Sequence, residues 1–141
     1  IDFPTSLTVL DYQAQSLFEL ESIIYFANNS AEIPEAGQKI IQTLTKEIKS
    51  RTDYSIRVEG HAEPSEQWIH PRENDTWTLS MMRAVAVVRQ FEKAGIPSKR
   101  LVASGRGEYQ PMPPADSIPE GASNRRVVLY LSPTQSLTQT Q

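Results

Sequence analysis

The sequence contains no cysteine, which excludes disulfides, thiolate catalysis and cysteine-ligated zinc. It also has no apolar run near the ~20 residues that a membrane-spanning helix needs. No sign of charge dominates, because 14 Lys and Arg against 17 Asp and Glu leave a net charge of −3. Nothing therefore attracts the whole chain to nucleic acid or to an anionic membrane. The histidines are His61 and His70, and no spacing such as His-Glu-x-x-His predicts a metal site. We expect no nucleic-acid partner, no metal and no cofactor.

The length and composition describe one globular domain, since 141 residues with 38% hydrophobic and 22% charged side chains suffice for a single core. The chain starts at Ile1 without a signal-peptide pattern, so we expect a processed or excised part of something longer. We expect residues 1–20 to be an N-terminal extension that packs on the core, with a short helix over Ala14 to Leu20. We expect the domain to span residues 21–132, and the polar residues 133–141 to form a disordered tail.

Within the domain, strand-like and helix-like patterns alternate along the chain. Four short β-branched or alternating segments predict strands, at residues 22–26, 54–60, 101–103 and 127–131. Apolar stripes predict two helices, one that starts at Pro34 and one from Thr78 to Ala94, which Gly95 ends in a left-handed conformation. The predicted core faces are Ala36, Ile40, Leu44 and Ile48 on the first helix, and Met81, Ala84, Val88 and Phe91 on the second. The order β-α-β-α-β-β predicts an α+β sandwich, a mixed sheet with both helices on one face.

Four polar groups are candidates for a site, because loops at the ends of regular elements commonly carry function. They are residues 59–63, 76–83, 106–108 and 124–126. In the second group Arg83 lies one turn inside the predicted helix, where a cation is unfavourable unless an anion arrives at the free N–H groups. One interpretation is that Arg83 binds a carboxylate or phosphate. The other is that it pairs with a nearby acid such as Asp75.

Catalysis is the less favoured interpretation. Glu59, His61 and Glu63 could act as a general acid and base, but no nucleophile motif or oxyanion loop accompanies them. The glycines beside Arg106 are too few for a phosphate loop. Trp68 and Trp77 could be exposed platforms for a ligand, but an aromatic residue next to a helix start more often covers the core, which is the expectation for Trp77. The sequence therefore predicts no catalytic residues.

Together these groups resemble the OmpA-like peptidoglycan-binding family, the C-terminal domain shared by OmpA, Pal and MotB proteins, over about Ser22 to Leu131. The motifs follow the family order: Asn28-Asn29-Ser30, Val58-Glu59-Gly60-His61, Leu79-Ser80-Met81-Met82-Arg83-Ala84, Gly95-Ile96-Pro97, Arg100-Leu101, Gly105-Arg106-Gly107 and Asn124-Arg125-Arg126-Val127. Each motif is weak, but their combination in this order is specific. Trp77-Thr78-Leu79-Ser80, the long loop before it, and Gly107-Glu108-Tyr109-Gln110-Pro111 are most similar to the MotB branch, the B subunit of flagellar stators.

The resemblance implies non-covalent binding of the peptidoglycan stem peptide, chiefly of its diaminopimelate. By position, the acid that meets the ligand's ammonium in the family falls on Glu63, and the arginine that meets its carboxylate falls on Arg83. The implied ligand-binding residues are Asn29, Glu63, Thr76, Leu79, Arg83 and Arg126. The chain departs from the family pattern at Ala62, where Thr is usual, at Glu63, where Asp is usual, and at Thr76, where Asn is usual. Restoring Thr and Asp at the first two positions is expected to tighten binding. The alternative is that the longer loop up to Thr76 already matches Glu63, and the double replacement would then weaken binding.

The resemblance also implies a cellular setting. We expect a periplasmic domain, tethered to the inner membrane by a segment outside this sequence. The expected partners are peptidoglycan, a second copy in a homodimer and, for a stator B subunit, the membrane-embedded stator A-type subunit. The alternative is a degenerate OmpA-like module that serves protein interaction or dimerisation and does not bind the wall. If Arg83 binds ligand, Arg83→Ala is expected to abolish wall binding with the melting temperature nearly unchanged.

Overall fold

The computed structural model describes residues 7–12, 15–67, 75–112 and 122–133, with side chains from Ser22 onward. Its strands and helices are β1 (Leu7–Tyr12), β2 (Gln15–Tyr25), α1 (Glu35–Ile48), β3 (Tyr54–Gly60), α2 (Thr76–Lys93), β4 (Leu101–Gly105) and β5 (Arg126–Pro133). Short 3-10 turns, Ser98–Arg100 and Ala122–Asn124, precede β4 and β5. The predicted order β-α-β-α-β-β is confirmed, and β1 adds a strand before it. None of the helices in the described ranges is long and apolar enough to span a membrane.

The strands form one five-stranded mixed sheet in the order β1-β2-β5-β3-β4. β2 runs antiparallel to both β1 and β5, β5 runs antiparallel to β3, and β3 runs parallel to β4. Ile24 of β2 lies opposite Val127 of β5, and Val58 of β3 lies opposite Leu129. Because side chains alternate along a strand, these four share one face of the sheet. They are buried there against the two helices, which form the other layer of the predicted sandwich.

Helix α1 packs on this face with a stripe that differs from the prediction by a partial turn. Leu44 and Ile48 are buried as predicted, but Ala36 is exposed, and Gly37 and Ile41 are buried. A Cβ at Gly37 would lie 2.6 Å from Cγ2 of Ile24, so the helix backbone lies directly against β2 there. That contact needs a residue without a side chain, and it rotates Ala36 toward solvent.

Helix α2 is also rotated relative to the prediction. Ala84 and Phe91 are buried as predicted, whereas Met81 is 38% exposed and Arg83 is buried. A Cβ at Gly60 would lie 1.9 Å from the backbone oxygen of Ser80, which shows how closely α2 crosses β3. This crossing places Arg83 on the inner side and turns Met81 outward. At the far end Gly95 has φ +105°, which confirms the left-handed position.

The N-terminal segment corrects one prediction. The expected helix over Ala14 to Leu20 is wrong, because β2 begins at Gln15 and continues without a break to Tyr25. Leu20 pairs with Leu7 on one side and with Leu131 on the other. Pairing with β1 along residues 15–20 overrides the weak local preference for helix. Strand β5 extends to Pro133, whereas residues 134–141 of the predicted tail lie outside the described residues.

Candidate functional site

The loops after β2 and β3 meet α2 at one end of the sheet, and Arg83 joins them. Its Nε donates to the carbonyl oxygen of Ser30 at 2.8 Å, and Nη2 donates to that of Ala27 at 3.2 Å. Its Nη1 donates to the carbonyl oxygen of His61 at 3.0 Å. The side chain is 0% exposed, and its guanidinium lies 5.3 Å from the ring centroid of Phe26. Arg83 therefore ties the two loops to the helix.

The acid paired with Arg83 is Glu66. Nη1 donates to Oε1 at 2.9 Å and Nη2 donates to Oε2 at 2.5 Å, so the pair is bidentate. With the three carbonyl contacts, all five N–H donors of Arg83 are used inside the protein. Two backbone N–H groups also donate to this carboxylate, that of Asn29 at 2.8 Å and that of Glu63 at 2.9 Å. The interpretation of Arg83 as half of an internal ion pair thus describes the structure, with Glu66 in place of Asp75.

Asp75 instead caps the helix. Its Oδ1 accepts a hydrogen bond from the backbone N–H of Thr78 at 2.7 Å, and α2 begins at Thr76, two residues before the predicted start. Arg83 therefore lies about two turns inside the helix, beyond the free N–H groups of its first turn. The position of Arg83 follows from the Glu66 contact, and an anion at the helix N-terminus does not explain it.

Glu66 stays ionised although its side chain is fully buried. Burial raises the pKa of Glu66, but the hydrogen bonds from Arg83 and from the backbone of Glu63 outweigh it and hold the pKa below the ordinary value. A buried carboxylate with four donors is well compensated, whereas the same carboxylate without Arg83 would be costly. This pair is therefore the electrostatic centre of the loop cluster.

Glu63 and Arg126 lie in the same cluster and are linked through Asn124. Oε2 of Glu63 accepts a hydrogen bond from Nδ2 of Asn124 at 2.9 Å, and the residue is partly exposed. Arg126 is 5% exposed and donates from Nη1 to the side-chain oxygen of Asn124 at 3.3 Å and from Nη2 to the carbonyl oxygen of Gln110 at 3.1 Å. Its Nε is buried and has no hydrogen-bond partner among the described residues.

The other predicted residues differ in their placement. Asn29 is exposed, has φ +59°, and accepts a hydrogen bond through Oδ1 from the backbone N–H of Gln67 at 2.7 Å. Oγ1 of Thr76 donates to the Glu108 carboxylate at 3.0 Å, apart from the arginine contacts. Leu79 is 0% exposed and belongs to the interior. The loop contacts thus bring Asn29, Glu63, Arg83 and Arg126 together, and they do not include Thr76 or Leu79.

Two of the three acid and base candidates, Glu59 and His61, form a buried network with Arg106, whereas Glu63 lies in the loop cluster. Glu59 accepts hydrogen bonds from Nε of Arg106 at 2.9 Å and contacts Nε2 of His61 at 3.1 Å. Burial raises the pKa of Glu59, but Arg106 outweighs it and the pKa lies below the ordinary value. Burial lowers the pKa of His61, and the charge of Arg126 lowers it further. Across the described part of the chain, no cluster of His, Asp and Glu is arranged to hold a metal ion.

Trp77 is 53% exposed, so the expectation that it covers the core is wrong and the alternative of an exposed ring describes it; Trp68 lies outside the described residues. Its ring lies 5.0 Å, centroid to centroid, from that of Tyr109, which is 60% exposed. Both rings lie over Gly107, where φ is +62° and an added Cβ would be 3.1 to 3.2 Å from them. With Met81, one helical turn from Trp77, they form an exposed apolar patch, which we call the Trp77 patch.

Sequence reasoning missed Glu66 and Asn124 as members of the site. A signal for Glu66 existed, since Pro64 and Ser65 favour a turn and that turn returns Glu66 to the backbone of Glu63. The turn is closed by the N–H of Glu66, which donates to the carbonyl oxygen of Glu63 at 3.0 Å. Asn124 had been identified in a motif, but its hydrogen bond to Glu63 crosses 61 residues of sequence.

Comparisons with known proteins agree with this architecture. The model of the OmpA family matches residues 25–126. A peptidoglycan-associated lipoprotein from Agrobacterium fabrum is 28% identical over 110 residues, which are 77% of this chain and 58% of that protein. The chain thus spans little more than half the length of this curated relative.

Two solved structures are similar over most of the chain. The periplasmic domain of Helicobacter pylori MotB is 23% identical with a TM-score of 0.68, and the match covers 94% of this chain and 83% of that one. A MotB-like protein from Desulfovibrio vulgaris is 28% identical with a TM-score of 0.67, and the match covers 89% of this chain and 77% of that one.

Proposed function

Because the chain belongs to the OmpA family, we propose that it binds the stem peptide of peptidoglycan through diaminopimelate and so anchors a membrane complex to the cell wall. The observation that carries the proposal is the pairing of opposite charges at one end of the sheet. Arg83 and two backbone N–H groups form a cradle for a carboxylate, and the partly exposed carboxylate of Glu63 lies in the same cluster. A zwitterionic amino-acid head group needs one cation and one anion in this kind of arrangement.

The larger assembly is part of the same proposal. We infer that the chain is the periplasmic domain of a flagellar stator B subunit, tethered to the inner membrane by another segment of its protein. Its partners would then be peptidoglycan, a second copy of itself and the stator A-type subunit. The similarity to the periplasmic domain of Helicobacter pylori MotB and to the MotB-like protein from Desulfovibrio vulgaris supports this inference.

The proposed function asks for binding and not for catalysis. Glu59 and His61, the residues that could exchange protons, are 4% and 2% exposed and are held by Arg106 and by each other. Groups that are buried and internally paired are poorly placed to meet a substrate. The binding interpretation therefore uses only the loop cluster around Arg83 and Glu63.

The test uses Glu63→Gln, because Glu63 is partly exposed and its neutralisation leaves the buried ion pair intact. Retention on purified peptidoglycan sacculi and calorimetry with a soluble stem peptide are the measurements. Loss of a charge-assisted hydrogen bond costs about 1.5–3 kcal/mol, so affinity is expected to fall roughly ten- to a hundredfold. Glu92→Gln is the matched control, because Glu92 is exposed at the opposite end of α2, where its carboxylate accepts a hydrogen bond from Ser98. Equal affinity of Glu63→Gln and wild type would contradict the assigned role.

A second candidate function is the interaction module without wall binding. Two observations favour it: all donors of Arg83 are used internally, and the Trp77 patch is exposed. In that case the wild-type domain would not be retained on sacculi at any concentration, although it folds normally. The pull-down with wild-type protein therefore separates the two candidates before any variant is made.

A further inference from the structure

Glu66 fills the place in which the proposed function would put the ligand's carboxylate. Its two oxygens accept hydrogen bonds from both terminal nitrogens of Arg83 and from the backbone N–H groups of Asn29 and Glu63. A bidentate arginine with two convergent N–H groups is a complete carboxylate-binding site. The protein thus contains a built anion site that one of its own side chains occupies.

We propose that Glu66 is an internal competitor that sets the affinity and the selectivity of the arginine site, an inference that rests on the proposed function. Because every donor of Arg83 is used, a ligand carboxylate reaches the guanidinium only by replacing Glu66. The exchange substitutes one carboxylate for another, so the charge on Arg83 is never left unpaired.

The competition has a direct consequence for affinity. A competitor on a short tether acts at an effective concentration of about a millimolar or more. The apparent dissociation constant is the intrinsic constant divided by the fraction of molecules in which the site is open. Wild-type protein is therefore expected to bind the stem peptide more weakly than the same site without the Glu66 charge.

The competition also has a consequence for selectivity. A neutral group cannot replace Glu66, because the buried guanidinium of Arg83 would then have no carboxylate to balance its charge. Free carboxylates without other contacts also lose, since they must displace a tethered one. The site is thus expected to accept a ligand that brings a carboxylate and binds elsewhere in the cluster, and to reject the same peptide with that carboxylate amidated.

The variant Glu66→Gln tests the proposal. Both oxygens of Glu66 face only N–H donors, so in either orientation the amide nitrogen of glutamine would face a donor and the side chain would leave the site. Calorimetry with a soluble stem peptide that contains diaminopimelate is expected to show at least tenfold tighter binding than wild type. Glu92→Gln, with the same change of charge, is expected to bind as wild type does.

The outcomes separate this inference from the proposed function. If wild type binds and Glu66→Gln binds equally or more weakly, the competitor is refuted and the proposed function stands. If neither binds the peptide, the proposed function fails, and the melting temperature of Glu66→Ala in added acetate decides whether the site takes a carboxylate. A rise with acetate in this variant and not in wild type supports occupancy by Glu66, and no rise refutes it.

A measurement on wild-type protein covers the case in which the variants do not fold. The backbone amide signals of Asn29 and Glu63 report the hydrogen bonds to Glu66 and can be followed by NMR during titration with stem peptide. Displacement is expected to shift both signals, together with the Nε signal of Arg83. Saturation of the protein with no shift at these amides would overturn the proposal.

Discussion

Substitution of Arg83 by methionine should destabilise the domain strongly. Methionine fills most of the space but removes the charge, so the fully buried carboxylate of Glu66 loses its partner. Breaking a buried pair from one side costs about 3–5 kcal/mol. The carbonyl oxygens of Ala27, Ser30 and His61 lose a donor as well. In a domain of this size 1 kcal/mol shifts the melting temperature by roughly 3–5 °C, so a fall of about 10–25 °C is expected.

This expectation replaces the one drawn from sequence, in which Arg83→Ala left the melting temperature nearly unchanged. The reason is burial. A solvent-exposed arginine that contacts only a ligand is dispensable for folding, whereas Arg83 has 0% exposure and makes five internal hydrogen bonds, so the fold depends on it. Loss of wall binding in an Arg83 variant would consequently not identify Arg83 as a ligand contact, because unfolding would have the same effect.

The assay is urea unfolding of wild type, Arg83→Met, Glu66→Gln and the double variant. Since the two residues share one interaction, the double variant should cost less than the sum of the single variants by about 1–3 kcal/mol. Arg89→Met is the matched control, because Arg89 is exposed on the same helix, and it should unfold close to wild type. The reasoning is refuted if Arg83→Met unfolds within about 1 kcal/mol of wild type, or if the two single effects are additive.

Two further predictions concern the buried charges and the helix crossing. In the folded protein the pKa values of Glu59 and Glu66 lie below 4.5, and that of His61 lies below 6.5. Just below each of these pH values the unfolded chain therefore binds more protons than the folded protein. The free energy of unfolding should fall on acidification, first below pH 6.5 and further below pH 4.5. Urea midpoints measured from pH 7.5 to pH 4 check this, and a flat profile above pH 5 would contradict the part assigned to His61. Gly60→Ala should lower the free energy of unfolding, measured with urea, by about 1–3 kcal/mol, the usual cost of overpacking. The reason is that the added methyl group would lie 1.9 Å from the Ser80 oxygen. Unchanged stability of Gly60→Ala would contradict the close approach of α2 to β3.

Sequence patterns were reliable where neighbours along the chain carry the information. The strand that ends at Gly60, the helix that follows Pro34 and the left-handed Gly95 all follow from local alternation, periodicity and backbone preference. The order of motifs likewise indicated the family, because their spacing belongs to the fold. The predictions failed where spacing alone had to locate a contact, as for the rotation of Met81 outward and of Gly37 inward.

The predicted site shows the same division. Residue types and motif positions were sufficient to nominate Asn29, Glu63, Arg83 and Arg126, and the structure gathers these four in one loop cluster. Sequence patterns did not identify Glu66 as the partner of Arg83, because 17 residues separate the two and the turn at Pro64 determines where the carboxylate lies. Asp75, much closer in sequence, was the obvious acid and caps the helix instead.

The local pattern therefore specified the elements, their order and the chemistry available at one end of the sheet. The pairing of Leu20 with Leu131, the depth of Arg83 and the identity of its acid came from packing between segments far apart in the chain. Periodicity reports which face of an element is apolar, but it carries no distance between one loop and another. An ion pair depends on distances of a few ångströms between such loops, so the tertiary structure determines which residues form it.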